Sequence, residues 1–193
     1  MTVAFRLAGL NFVALNGGPQ FSFTPAVSFF VTCEAQQEVD KVWAALSDGG
    51  TVLMPLDRYP FSDRFGWTND RFGVSWQVSL SGGPQTITPF LMYVGAQNGQ
   101  AEAAMNLYAL LFADSRITRI DRYGPEGGGT EGTVMRGAFT LQGQNFMAID
   151  GGLSHDFTFT EANSFLVNCA TQEEVDRLWE KLTDGGEERP AAG

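Results

Sequence analysis

Residues 9–50 read GLNFVALNGGPQFSFTPAVSFFVTCEAQQEVDKVWAALSDGG, and residues 143–186 read GQNFMAIDGGLSHDFTFTEANSFLVNCATQEEVDRLWEKLTDGG. Gly9 aligns with Gly143 and Phe21 with Phe157; the two extra residues of the second stretch follow Gly152, in a glycine-rich turn that tolerates insertion. Asn11/Asn145, Phe12/Phe146, Phe23/Phe159, Ser28/Ser164, Cys33/Cys169, Asp40/Asp176 and Trp43/Trp179 all pair. The spacing far exceeds the roughly 20–50 residues of solenoid repeats, so the repeated unit is a domain or most of one.

Working outward, residues 4–15 carry two strand-like runs, the second ending at Gly17-Gly18-Pro19. Ala26–Val31 is a short β-rich run, and Val39, Trp43 and Leu46 recur at helical spacing over residues 36–47 until Asp48-Gly49-Gly50 stops the helix. The second copy has a capping box, Thr171 standing three residues before Glu174. The first has Ala35 there, which should weaken its helix start by roughly 1 kcal/mol. Strands are expected at 51–57 and 72–80 around an aromatic loop (Tyr59, Phe61, Phe65, Trp67), then at 87–93, 117–123, 133–141 and 146–149, with a helix over 102–112 and a final strand and helix within 163–184. The order is β-α-β-β-β twice, over 26–80 and 87–150, with half a unit on either side. The tail 187–193 (EERPAAG) has no strand character and should be loose.

With 44% hydrophobic residues the 193-residue chain can bury a substantial core. A formal net charge of −10 argues against nucleic acid and anionic membrane surfaces as partners. The N-terminus lacks a signal-peptide pattern and no apolar run approaches the roughly 20 residues of a membrane span, which points to the cytoplasm. Cys33 and Cys169 end equivalent apolar runs and read as small buried hydrophobes, since no CxxC or third thiol accompanies them.

The segments ITPFLMY (87–93), EAAMNLYALLFADSRI (102–117), EGTVMRGAFTLQGQNFMAIDGG (131–152) and HDFTFTEANSFLVNCATQEEVDRLWEKLTDGG (155–186) resemble the PhnB-like family, also labelled 3-demethylubiquinone-9 3-methyltransferase, of the vicinal oxygen chelate superfamily. YPFSDRFGWTNDRFGVSWQV (59–78) resembles that family's closing segment. The resemblance implies an α+β fold in which paired βαβββ modules curl into glyoxalase-like half-barrels, here with incomplete modules at both ends. A family domain begins at ITPFLMY and ends after SWQ. Residues 1–82 would then be the C-terminal part of one domain, 83–85 a linker, and 86–186 the N-terminal part of a second. The other arrangement pairs 26–80 with 87–150 in permuted order.

The resemblance also implies a cavity where a divalent metal is held by His, Glu or Gln on inward strand faces. This chain has one histidine, and Gln77, Gln144 and Asp150 are the oxygen ligands left, a poor set for zinc or iron. No cofactor is identified. His155 falls in the family's H-x-F-x-F segment and reads as a pocket-wall donor or acid/base group, or as a loop histidine bonding backbone. Phe21, Phe23, Phe157 and Phe159 alternate as core or pocket lining. Trp67, Trp76 and Gln77 lie in the closing segment; Trp76 and Phe72 read as core, Asp70 as the residue ordering the turn after it, and Gln77, facing opposite to Trp76, as a polar group in the cavity. Gly127–Gly129 lacks the Lys and Ser/Thr of a phosphate loop, and Glu173, Glu174, Asp176 and Glu180 form a solvated helix face. The methyltransferase label finds no glycine-rich turn after a first strand to support it. Three functions remain open: a small-molecule-binding protein with an aromatic-lined cavity, a metal-dependent lyase, isomerase or dioxygenase, and a structural module that homodimerises through exposed strands.

Overall fold

The computed structural model describes residues 1–152 and 154–186; the expected tail at 187–193 lies outside them. Ten strands and three α-helices follow in the order β1 (Thr2–Leu7), β2 (Leu10–Leu15), β3 (Val27–Cys33), α1 (Gln36–Ser47), β4 (Thr51–Tyr59), β5 (Ser62–Asn69), β6 (Ser75–Leu80), β7 (Thr86–Tyr93), α2 (Ala101–Leu111), β8 (Arg116–Arg122), β9 (Val134–Leu141), β10 (Gln144–Asp150) and α3 (Gln172–Thr183) among the described residues. The fold is α+β and consists of two βαβββ modules. Eight strands form one sheet in the order β4-β5-β6-β3-β7-β10-β9-β8, and β1-β2 form a separate hairpin. The first module supplies β3–β6 and the second β7–β10. They meet where β3 runs antiparallel to β7, from Val27↔Leu91 to Thr32↔Thr86. The other edge of β7 pairs in parallel with β10, from Met147↔Phe90 to Asp150↔Tyr93.

Alternation along these strands separates two faces. On one, α1 covers Val31, Cys33 and Val78, while α2 covers Leu91, Phe139, Phe146 and Ala148 through Ala101 and Met105. The other face, opposite the helices, carries Phe90 and Met92.

The two equivalent hairpins, β1–β2 and β9–β10, turn the same way. Ala8-Gly9 and Gln142-Gly143 hold positive φ at both central positions (44° and 86°; 47° and 81°), the requirement of the tight hairpin turn whose twist matches the strands. The helix starts differ as expected. Glu174 N donates to Thr171 Oγ1 at 3.2 Å, whereas Ala35 provides no side-chain cap to α1. The reciprocal glutamate bond is common to both: Glu38 accepts from Glu34 N at 3.0 Å and Glu174 from Ala170 N at 3.0 Å.

Three expectations are corrected. The aromatic loop around Phe65 and Trp67 is strand β5, which its alternating large residues allow. The following strand starts at Ser75 rather than at residue 72, because Asp70–Gly73 turns first, with Gly73 at φ 88°. Phe72 is consequently 75% exposed instead of core. Residues 163–169 form no strand: the place that their sequence would take beside β7 is held by the equivalent β3.

Trp43 of α1 lies flat over Gly66 of β5, and a Cβ at that position would sit 2.5 Å from the indole ring. Gly66→Ala is expected to lower stability by about 1–3 kcal/mol through forced repacking, outweighing any gain from a stiffer unfolded chain. The urea midpoint at constant m checks this.

Candidate functional site

Residues at alternate positions of five strands project from the face opposite the helices. Phe90, Met92 and Val94 are buried there, with Phe30, Trp67, Met147, Ile149 and Phe157 packed around them. Phe30 lies 6.3 Å from both Phe65 and Phe90, ring centre to ring centre. Among these apolar groups stands a short polar row. Gln77 Nε2 donates to Ser28 Oγ at 2.8 Å, and Trp67 Nε1 donates to Ser75 Oγ at 2.8 Å. Gln77, Ser28 and Ser75 are all buried. His155 borders the aromatic cluster, its ring 4.8 Å from that of Phe157 and over Gly151, where a Cβ would come within 3.3 Å of it.

The closing segment is held by its own polar atoms. Asp70 Oδ1 accepts from Phe72 N at 2.9 Å and Val74 N at 3.0 Å, while its Oδ2 accepts from Trp76 Nε1 at 3.0 Å. Asp70 therefore orders the turn and anchors Trp76, which packs against Phe29 on the helix side.

The structure thus brings Gln77, Trp67, Phe157 and His155 to one face. It places Trp76 and Phe159 on the other, Phe159 edge-on to Tyr93 at 5.1 Å. Phe21 and Phe23 are exposed. Ser28, Phe30, Phe65, Phe90, Met92 and Met147 were not singled out from the sequence, although strict alternation within 27–33 and 86–93 holds the signal for the first, second, fourth and fifth. Two depressions lie elsewhere. One of about 490 Å³ is at the β4–β5 tip beside Arg58, Tyr59 and Phe61. One of about 570 Å³ is bounded by Phe159, Thr160, Asn163 and Ser164. Neither is lined by Gln77, Trp67 or Phe157.

A sequence profile of the family described as 3-demethylubiquinone-9 3-methyltransferase matches residues 1–79 and 85–193. The chain belongs to that family. No curated protein matches it. Among solved structures, a 3-demethylubiquinone-9 3-methyltransferase, PhnB protein, from Bacillus cereus is 50% identical; the match covers 51% of this chain and 74% of that one, with a TM-score of 0.48. A protein from Pseudomonas aeruginosa is 25% identical over 42% of this chain and 62% of its own, with a TM-score of 0.38. A protein from Staphylococcus aureus is 39% identical over 52% and 68%, with a TM-score of 0.28.

In this member of the 3-demethylubiquinone-9 3-methyltransferase family, the three oxygen groups considered as metal ligands do not converge. Asp150 shares a strand face with Phe146 and Ala148, under α2, and so does Gln144. They stand six positions apart at opposite ends of β10, about 20 Å of strand. Gln77 projects from the opposite face. Both oxygens of Asp150 are committed: Oδ1 accepts from Gly99 N at 2.7 Å and Ala101 N at 3.1 Å, and Oδ2 from Val134 N at 2.8 Å. Asp150 is a buried acceptor that satisfies the first amide of α2 and ties β10 to the start of β9. Among the described residues no group of three or more His, Cys, Asp or Glu side chains gathers for a metal. No helix among them is long and apolar enough to cross a membrane.

Asp150→Ala would leave three amides without their acceptor and is expected to cost about 3 kcal/mol or more; Asp150→Asn, which keeps one oxygen, should cost less. Equilibrium denaturation of both variants measures the difference. Nearby, burial raises the Tyr93 phenol pKa far above its ordinary value, with Tyr108 and Asp150 adding to the effect. A pKa raised by folding stabilises the fold below the unfolded value of about 10, and that contribution is lost as pH rises beyond it. Stability should therefore fall above about pH 10, and Tyr93→Phe should flatten that alkaline loss in urea midpoints taken from pH 8 to 11.

Proposed function

We propose that this family member binds a small, largely apolar molecule against the sheet face opposite its helices. One observation carries the reading: Trp67, Phe30, Phe90, Met147 and Phe157, drawn from both modules, surround the buried polar row of Gln77, Ser28 and Ser75. Small-molecule sites combine these features, an apolar wall for affinity and a few fixed polar groups for orientation. The Gln77 amide and Ser28 hydroxyl would orient a carbonyl or hydroxyl of the ligand. His155, at the rim beside Phe157, would offer a group able to gain or lose a proton near neutral pH. Apolar side chains fill much of this face, so a ligand would have to displace some of the partly buried ones, Trp67 and Phe157 among them. The metal-dependent alternative loses support because Asp150 and Gln144 lie on the helix side.

A thermal-shift screen of small aromatic and oxo-acid compounds tests the proposal. A compound present at a hundred times its dissociation constant adds about 2.7 kcal/mol of stability, which raises the melting temperature by several degrees. Trp67→Ala and Phe157→Ala are each expected to abolish that shift, while Leu110→Ala, 83% exposed on α2 across the sheet from this face, leaves it intact. If the compounds that bind shift all three variants equally, the site lies elsewhere.

A further inference from the structure

The ladders of the eight-stranded sheet set its side chains in rows, because residues paired across neighbouring strands share a face. One row runs Ser75, Ser28, Phe90, Met147, Ala138, Arg119 from β6 to β8. It lies on the face opposite the helices, since Phe90 and Met147 belong to the aromatic cluster there. Beside its last two members, Arg136 of β9 is paired with Asp121 of β8, and Arg116 of β8 with Thr140 of β9. The β9–β10 register, continued one pair beyond Ala148↔Gly137, sets Arg136 opposite Ile149. Along one face, then, hydroxyl groups give way to apolar side chains, and these to guanidinium groups around Ala138. β8, β9 and β10 all belong to the second module, so the basic end is built without the first.

The chain has 22 acidic and 12 basic residues, so an arginine without a carboxylate partner requires a reason. On this sheet Arg58, Arg64, Arg119 and Arg122 each form an ion pair. Among the described residues, Arg116 and Arg136 have neither an ion pair nor a side-chain hydrogen bond, and Arg136 is half-buried. A partly desolvated charge without a partner is costly. Asp121 is the one acidic side chain that β7–β10 place on this face, and Arg119 already holds it: Nε lies 2.7 Å and Nη2 2.6 Å from its Oδ2. Three guanidinium groups against one carboxylate leave an excess of positive charge at the border of Met147 and Ile149.

We propose that the molecule bound on this face is an elongated apolar acid whose carboxylate lies over Ala138, held by Arg136 and Arg116. This rests on the reading above that the face is a binding site, and it names the class of ligand. The body of the acid would lie along Met147 and Phe90, with its far end at the Ser28 hydroxyl and the Gln77 amide. Ser28 and Ala138 are three strands apart, about 14 Å along the sheet. That span exceeds a single ring and suits two linked rings with a polar group at each end. The small side chain of Ala138 leaves room for an anion between the guanidinium groups. Arginine meets a carboxylate through two parallel N–H donors, and such bonds strengthen where apolar neighbours exclude water. A singly charged carboxylate also sheds its water at less cost than a doubly charged phosphate, which fits a seat bordered by Met147 and Ile149.

Isothermal titration of the full chain with 4′-hydroxybiphenyl-4-carboxylate and with its neutral carboxamide tests the proposal. The carboxylate should bind about tenfold or more tightly than the carboxamide. Arg136→Gln should remove that difference while carboxamide affinity stays the same, which also reports that the face is still folded. Arg116→Gln, at an exposed position, should lower carboxylate affinity alone. Asp121→Asn removes a competing carboxylate and should tighten carboxylate binding, a gain that damage to the fold would not produce. Equal binding of the two compounds, both lost in Trp67→Ala, would overturn the acid and leave the aromatic face as a site. Carboxylate binding lost in Arg136→Gln but unchanged in Trp67→Ala and Phe157→Ala would put the acid off the aromatic face and overturn both readings. Absence of saturable carboxylate binding overturns the acid, and the broader compound screen then decides the face by itself.

Discussion

A β-strand has two edges, and both edges of β7 are used. One side pairs antiparallel with β3, from the first module; the other pairs parallel with β10, from the second. This double commitment makes one eight-stranded sheet from two four-stranded modules, and it buries Phe90, Leu91, Met92 and Tyr93 on the two faces at once. The aromatic face exists because of that joint: Phe30 and Trp67 come from one module, Met147 and Ile149 from the other, and β7 lies between them. Buried backbone groups must find partners, so any segment that would join this sheet beside β7 has to displace one already there.

That competition explains what the sequence could and could not tell. The repeat, both helices of the modules and most strands are legible, because hydrophobic period and glycine turns are local properties. Whether residues 163–169 form a strand is not local. NSFLVNC carries the same apolar pattern as VSFFVTC, yet only the latter has neighbours to pair with. Strand identity here depends on which copy reaches β7, and a single chain's pattern is silent on that. The aromatic loop that became β5 shows another limit. Register shifts at Met54 and Asp57 of its partner β4 break the regular pairing, so the flanking turns give poor boundaries.

The candidate site was half legible. Gln77 was placed correctly opposite Trp76 by alternation alone. The same rule applied to β10 would have set Asp150 with Phe146 and Ala148, under α2, where three backbone amides hold its two oxygens. What alternation could not supply is which elements meet across the sheet, and so Trp67 of β5 and Phe157, ninety positions on and outside any strand, come to pack against the same cluster only in the folded chain.

Cys33 and Cys169 show how far sequence equivalence and chemical equivalence can diverge. Cys33 is wholly buried at the end of β3, and burial raises the pKa of its thiol, with Glu38 nearby acting in the same direction. Cys169 ends a segment with no place in the sheet and is partly open to solvent. Since the thiolate is the nucleophile, an electrophile or oxidant meets a guarded sulfur in one copy and an accessible one in the other. A chain with two cysteines at matching positions thus behaves, toward such reagents, as a chain with one.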